Sequence, residues 1–184
     1  MAEKSLPDDT LWGNVFRKDS TVENNIYKVL AGIPIFQDLN RKELRLIERI
    51  LHKRSYKENE VIFHEGDPGV GMYIIESGRV NITLGKDKKL LAVLTDTEFF
   101  GEIALLSEIP RTATATCVTD CSILGFFQPD LVDLMETKPR MGNKVVLRLA
   151  QMIADRLRFS NLENQELKMK LSQFEEKSTR KRMS

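Results

Sequence analysis

The stretch "FFGEIALLSEIPRTATATC", Phe99 to Cys117, sets a carboxylate directly after a glycine and an arginine directly after a proline. It closes the apolar run "LLAVLTDTEFF", which has the pattern of a strand running into a turn at Gly101. "EIALLS" then reads as a short helical turn. Backbone N–H groups at the start of such a turn have no partner within it and attract phosphate. Glu102 stands at that point, and its charge repels phosphate. A ligand that also carries hydroxyls reconciles the two, because a carboxylate accepts strongly from a sugar hydroxyl. Arg111, held by the rigid Pro110, supplies a bidentate fork for the phosphate. Each charged hydrogen bond of this kind contributes on the order of 1.5–3 kcal/mol. One acid for ribose and one base for phosphate point to a nucleotide with a single negative charge.

Around this stretch the chain reads as a run of short strands. "VIFHEG" leads into the turn "GDPGVG", followed by "MYIIESG", "RVNITL", the polar turn "GKDKK" and "LLAVLT". "TATATCVTDCSILGFF" closes the series, with Thr and Ala alternating from Thr112 to Thr116 as on a strand with one small-residue face. Short strands with turn signals at close intervals predict a small β-barrel or sandwich. Helices flank it. "STVE", from Ser20, resembles a capping box that opens a helix with Val22, Ile26, Val29 and Leu30 on one face; Gly32 and Pro34 end it. Asn40 and Glu43 cap a second helix that buries Leu44, Ile47 and Leu51. Trp12 and Phe16 are expected to clip a loosely anchored N-terminal segment onto the body.

Beyond Gln128 the chain is helical again. Pro129 suits a first turn and Pro139 breaks the run. From there to Lys177 a heptad fits: Val146, Ile153, Ser160, Leu167 and Phe174 repeat every seven residues, and Ala150, Leu157, Asn164 and Leu171 interleave. That pattern predicts a long helix whose first half packs back on the barrel and which pairs with a second copy. The expected divisions are a loose segment at 1–20, helices at 21–53, the barrel at 54–127, a hinge helix and long helix at 128–177 and a flexible tail at 178–184.

"FGEIALL" followed by "PRTATA" resembles the phosphate-binding cassette of cyclic nucleotide-binding domains. That family includes the bacterial catabolite activator, protein kinase A regulatory subunits and cyclic-nucleotide-gated channels. The resemblance covers about Ile33 to Arg158, and "IFHEGDPGVGMYIIESGRVNI" is similar to the family's first glycine-rich hairpin. It implies an α+β fold: an antiparallel jelly-roll barrel, or double-stranded β-helix, flanked by N-terminal helices and a long C-terminal helix. It implies that Glu102 binds the ribose 2′-hydroxyl and Arg111 the cyclic phosphate. Gly101, with backbone N–H groups near Ile103 and Ala104 and the Thr112–Ala113 segment, completes the cradle. Ile82, Leu91 and Ala92 fall where the family lines the sugar and base. Ser160 and Asn161 fall where the catabolite activator reads adenine, one of the pair reaching across the dimer. Thr97 departs from the family, which often has glycine there. The ligand implied is cyclic AMP or cyclic GMP, with cyclic AMP favoured; a hydroxyl at Thr112 can also bond guanine.

The function classes left are few. The formal charge of +1 gives no bulk attraction to nucleic acid or membrane. "MAEKSLPDDT" lacks the apolar core of a signal peptide and no apolar run reaches bilayer length, so a cytoplasmic chain with no membrane partner is expected. Cys117 and Cys121 make no disulfide framework; four apart on a regular strand they share a face and read as buried thiols. His52 and His64 stand apart from any nucleophile, and no metal cluster is legible, so neither catalysis nor a metal is expected. The reading is a receptor rather than an enzyme. It is expected to form a homodimer through the C-terminal helix and to act on an unidentified effector protein. Direct DNA binding is not expected, because too few residues follow that helix for a winged helix. The alternative is a degenerate domain that serves as a dimerisation or interaction module.

Overall fold

The computed structural model of the chain describes residues 20–182, with side-chain surroundings for 26–171. Trp12, Phe16 and Val22, the Ser20–Glu23 cap, Phe174 and the surroundings of the tail lie outside what it describes. Helix α1 (Ser20–Gly32), a 3-10 turn (Pro34–Phe36) and α2 (Arg41–Ile50) precede eight strands. These are β1 (His52–Tyr56), β2 (Val61–Phe63), β3 (Gly71–Ser77), β4 (Val80–Leu84), β5 (Lys89–Leu94), β6 (Phe99–Phe100), β7 (Thr114–Cys117) and β8 (Cys121–Phe127). A second 3-10 turn (Glu102–Leu105) sits between β6 and β7, and α3 (Gln128–Thr137) and α4 (Pro139–Arg182) follow β8.

The strands form two antiparallel sheets, ordered β1-β8-β3-β6 and β2-β7-β4-β5. This is the expected jelly-roll barrel with helices at both ends of the chain. Two predicted strands divide. "LLAVLTDTEFF" is not one strand: β5 belongs to one sheet and β6 to the other. Between them Thr97 adopts a left-handed φ of 68°, its N–H donating to the Ile75 carbonyl. "TATATCVTDCSILGFF" divides in the same way into β7 and β8. Cys117 and Cys121 therefore lie on strands of different sheets, not on one strand face. Both thiols are free and buried in one cluster with Ile75, Val80 and Ile123. Burial, reinforced by Cys121, pushes the Cys117 thiol from its ordinary value of 9.0 to about 12.

The core has two parts. The barrel interior holds Ile75, Val80, Phe100, Ala115 and Ile123. The larger cluster joins α1, α2 and the first 3-10 turn to β3, β8, α3 and the start of α4. Phe36 meets Phe126 edge to face at 5.9 Å within it. The second helix starts as its sequence dictates. The Asn40 side chain accepts from the Lys42 and Glu43 N–H groups, and Glu43 accepts from the Asn40 N–H at 2.8 Å. Such a cap is worth about 1 kcal/mol.

Only the first part of α4 packs down. Val145 and Leu149 are fully buried, against α3 and the first 3-10 turn rather than against the open face of the barrel. Two ion pairs fasten this part. Arg148 grips Asp38 through Nε and Nη2, at 2.5 and 2.7 Å, and Lys144 reaches Glu43 at 2.9 Å. Farther along, Leu157, Leu167 and Leu171 are about 60% exposed (61%, 62% and 60%). Among the described residues no helix is long and apolar enough to cross a membrane.

A β-branched residue at positive φ is strained by about 1–2 kcal/mol. Thr97→Gly should therefore raise the stability of the chain by on the order of 1 kcal/mol after the greater chain entropy of glycine is subtracted. Urea denaturation checks this; a loss of stability would show that the threonine side chain contributes more than its backbone costs.

Candidate functional site

The opening stretch builds one wall of a pocket of about 300 Å³, whose other walls come from β2, β4, β5 and α4. Phe100 leads into Gly101, which takes a left-handed φ of 75° and turns the chain into the short 3-10 helix. A side chain at Gly101 is disfavoured twice over. Its φ is unfavourable to L-residues, and a Cβ there would stand 2.5 Å from Nη1 of Arg111.

Arg111 is 6% exposed and carries a buried positive charge. Its backbone is tied to the first hairpin turn: the Arg111 N–H donates to the Asp67 carbonyl, and the Gly66 N–H donates to the Arg111 carbonyl, both at 2.8 Å. Its side chain donates from Nη1 to the Gly101 carbonyl at 3.2 Å and from Nη2 to the Gly71 carbonyl at 2.7 Å. Nε is buried and has no acceptor. No carboxylate closes on the guanidinium in an ion pair among the described residues. Burial pulls Arg111 below the usual arginine value, offset in part by Tyr73, Asp67 and Glu102. At neutral pH it remains a cation, and a buried cation is costly unless hydrogen bonds or an opposite charge replace water.

Glu102 is 3% exposed in the same pocket. Its partner is Arg156 of α4, whose Nη1 donates to Oε1. The Arg156 guanidinium also lies 5.8 Å from the Phe99 ring. The acid and the buried base of one cassette are thus held apart, each engaged by other groups. Carbonyls hold Arg111, and a helix arginine holds Glu102. In the 3-10 turn the Ala104 N–H donates to the Gly101 carbonyl, which leaves the N–H groups of Glu102 and Ile103 outside the turn's bonds. Thr112 and Ala113 lie between the Arg111 tether and β7.

The pocket brings together Ile82, Gly101, Glu102, Ile103, Ala104 and Arg111 with Thr112 and Ala113. Leu91, Ala92, Ser160 and Asn161 are not among its walls. Leu91 is the extra residue of a bulge in β5, since Ile82 faces Ala92 and Thr83 faces Leu90. Leu91 is 51% exposed, and Leu94, two residues beyond Ala92, lines the pocket instead. Ser160 and Asn161 are exposed on α4, at least one helical turn beyond Arg156. Sequence reasoning did not assign Phe99, Phe100, Ile109 and Pro110 of the opening stretch to the lining, and outside that stretch it passed over Phe63, Leu94 and Arg156. The period of β5 pointed to Leu94. Arg156 lies one turn before Ser160, the spacing at which helix neighbours share a face. No group of three His, Cys, Asp or Glu that could hold a metal occurs among the described residues.

The cyclic nucleotide-binding domain family model matches residues 53–138. The cyclic AMP receptor protein of Thermus thermophilus is 34% identical over 154 residues, covering 82% of this chain and 67% of that protein. This chain belongs to the cyclic nucleotide-binding domain family. The crystal structure of the Thermus thermophilus catabolite activator protein superposes with a TM-score of 0.65 at 34% identity, covering 73% of this chain and 62% of that one. The regulatory domain of Toxoplasma gondii PKA, crystallised with cAMP, gives a TM-score of 0.58 at 26% identity, covering 63% and 45%. Other curated relatives are much longer, and the chain spans 31%, 24% and 32% of the length of three of them.

Gly101→Ala should cost about 1–2 kcal/mol of stability from backbone strain alone, and more from the displaced Arg111. Thermal and urea unfolding measure it. A variant as stable as the parent would mean that neither the left-handed turn nor the close guanidinium is needed at this position.

Proposed function

We propose that this chain is a non-enzymatic receptor for a cyclic nucleotide, with cyclic AMP preferred to cyclic GMP. The observation that carries the reading is the buried pair in one pocket: Arg111, a cation with a free Nε and no acid closed upon it, and Glu102, a buried carboxylate. In this reading the cyclic phosphate binds Arg111 and the N–H groups of Ile103, Thr112 and Ala113. The ribose 2′-hydroxyl donates to Glu102, with Gly101 and Ala104 shaping the turn. Ile82 and Leu94 support the sugar and base, with Ala92 beneath them and Leu91 outside the contact. The preference for cyclic AMP draws on the likeness to the cyclic AMP receptor protein and to a regulatory domain crystallised with cAMP.

The signal passes through Arg156. A ribose that engages Glu102 competes with Arg156 for the same carboxylate, so the nucleotide and α4 are coupled at one atom group. The receptor acts by repositioning α4 toward a partner protein, with no DNA contact of its own. The exposed leucines of α4, interrupted by Ser160 and Asn164, support a homodimer through this helix. Ser160 and Asn161 then meet the base from the helix once α4 has moved.

Calorimetric titration of the purified chain with both nucleotides tests the reading. Cyclic AMP should bind more tightly. Arg111→Lys should weaken binding at least tenfold, because a point ammonium cannot reproduce two parallel bonds to phosphate. Saturation at about 100 times the dissociation constant should add roughly 2.7 kcal/mol of stability. No heat and no thermal shift with either nucleotide, alongside a stable dimer, would make the chain an interaction module instead.

The dimer seam has its own test. Replacing both Ser160 and Asn164 with leucine should tighten the dimer in sedimentation equilibrium and weaken nucleotide binding. Unchanged affinity in the double variant would remove the base from this turn of the helix.

A further inference from the structure

The guanidinium of Arg111 is held at its ends by two neutral carbonyls, which leave its faces open to choose a packing partner. One face is taken by the ring of Phe63, whose centroid lies 4.2 Å from Cζ. Tyr73 follows at 5.4 Å. We propose that Phe63 is a positioning residue: its ring face holds the Arg111 fork in the plane from which it grips an anion. The proposal rests on the reading of this pocket as a cyclic nucleotide site.

Three observations carry it. First, the cation is buried and no carboxylate pairs with it among the described residues, so the negative face of a ring 4.2 Å away adds electrostatic support beyond the carbonyls and the more distant charges. An aliphatic side chain would fill the same space and supply none. Second, the chain is bent to put the ring there. The pairing of β2 with β7 shifts between Val61 and Phe63, so that Phe63 faces Ala115 while Val61 faces the next residue, Thr116. Such a bulge re-aims one side chain at the expense of a ladder bond. Third, the ring is itself braced. Tyr73 and Phe100 stand 5.6 and 5.8 Å from it, and those two rings stack at 5.6 Å. A braced ring fixes the guanidinium plane before any ligand arrives, which lowers the ordering cost of binding.

The test compares Phe63→Leu, which keeps apolar bulk and loses the π face, with Phe63→Tyr, which keeps both. Cyclic AMP affinity should fall about tenfold in Phe63→Leu, equivalent to about 1.4 kcal/mol, and stay within about twofold of the parent in Phe63→Tyr. Adenosine lacks the phosphate, so its weaker binding should be the same in all three proteins. Equal losses for adenosine and cyclic AMP would mean that the ring only shapes the pocket, and would overturn the proposal. So would parental cyclic AMP affinity in Phe63→Leu. A second readout needs no nucleotide. The NMR signal of the Arg111 Nε–H should be sharp and slow to exchange in the parent and in Phe63→Tyr, and broadened in Phe63→Leu. If the parent binds neither cyclic nucleotide, the receptor reading falls, and the Nε–H signal alone decides whether Phe63 holds Arg111; an unchanged signal overturns the proposal.

Discussion

A buried guanidinium without an acidic partner is the constraint around which the pocket end of this fold is arranged. Charge in a dry interior is costly unless hydrogen bonds and nearby dipoles replace water. Here the replacement is assembled from distant parts of the chain. Gly71 and Gly101 contribute carbonyls, Asp67 and Gly66 anchor the backbone, and Phe63 and Tyr73 contribute rings. Each contributor imposes its own demand on the sequence. The left-handed φ of Gly101 and the close approach of Nη1 favour a residue with no Cβ, and the ring contacts bring β2 of one sheet against β3 of the other. Two of the barrel's local irregularities, the bulge in β2 and the left-handed turn at Gly101, fall at this cation.

Glu102 answers a different constraint. It is even more deeply buried than Arg111, yet it is stabilised by a cation from a helix that begins some forty residues later in the chain. The pocket is therefore incomplete until α4 lies across it. Had Glu102 and Arg111 paired with each other, the cassette would be a closed ion pair with nothing left to recognise a ligand. Keeping them unpaired maintains one buried carboxylate and one buried cation in the same pocket at the cost of a second arginine.

Much of this was legible in the sequence because the signals were local. The Asn40–Glu43 cap, the turn at Gly101 and the alternation of Thr and Ala in β7 each act over four or five residues, and each is present. What escaped was set by partners far away. The strand His52–Tyr56 carries "HKRSY", with no apolar alternation, and is a strand because β8 pairs with it along its full length. The division of β5 from β6, and of β7 from β8, follows from which sheet each joins, and no window of sequence contains that choice. Leu91 was separable from Leu94 by period alone. Arg156 was not, since a lone arginine on an amphipathic helix is ordinarily a solvated residue and becomes a pocket wall only where the helix crosses the barrel.

The ion pairs of Arg148 with Asp38 and of Lys144 with Glu43 bridge more than a hundred residues of chain (separations of 110 and 101). The same span separates Leu30, Ile33 and Phe36 from Val145 and Leu149, which share their core cluster. Contacts at such separation are closed late, after shorter loops have collapsed. During synthesis the barrel strands emerge and pair while α1 and α2 still lack the helix that buries their apolar faces. The N-terminal helices cannot complete their packing until the start of α4 has been made.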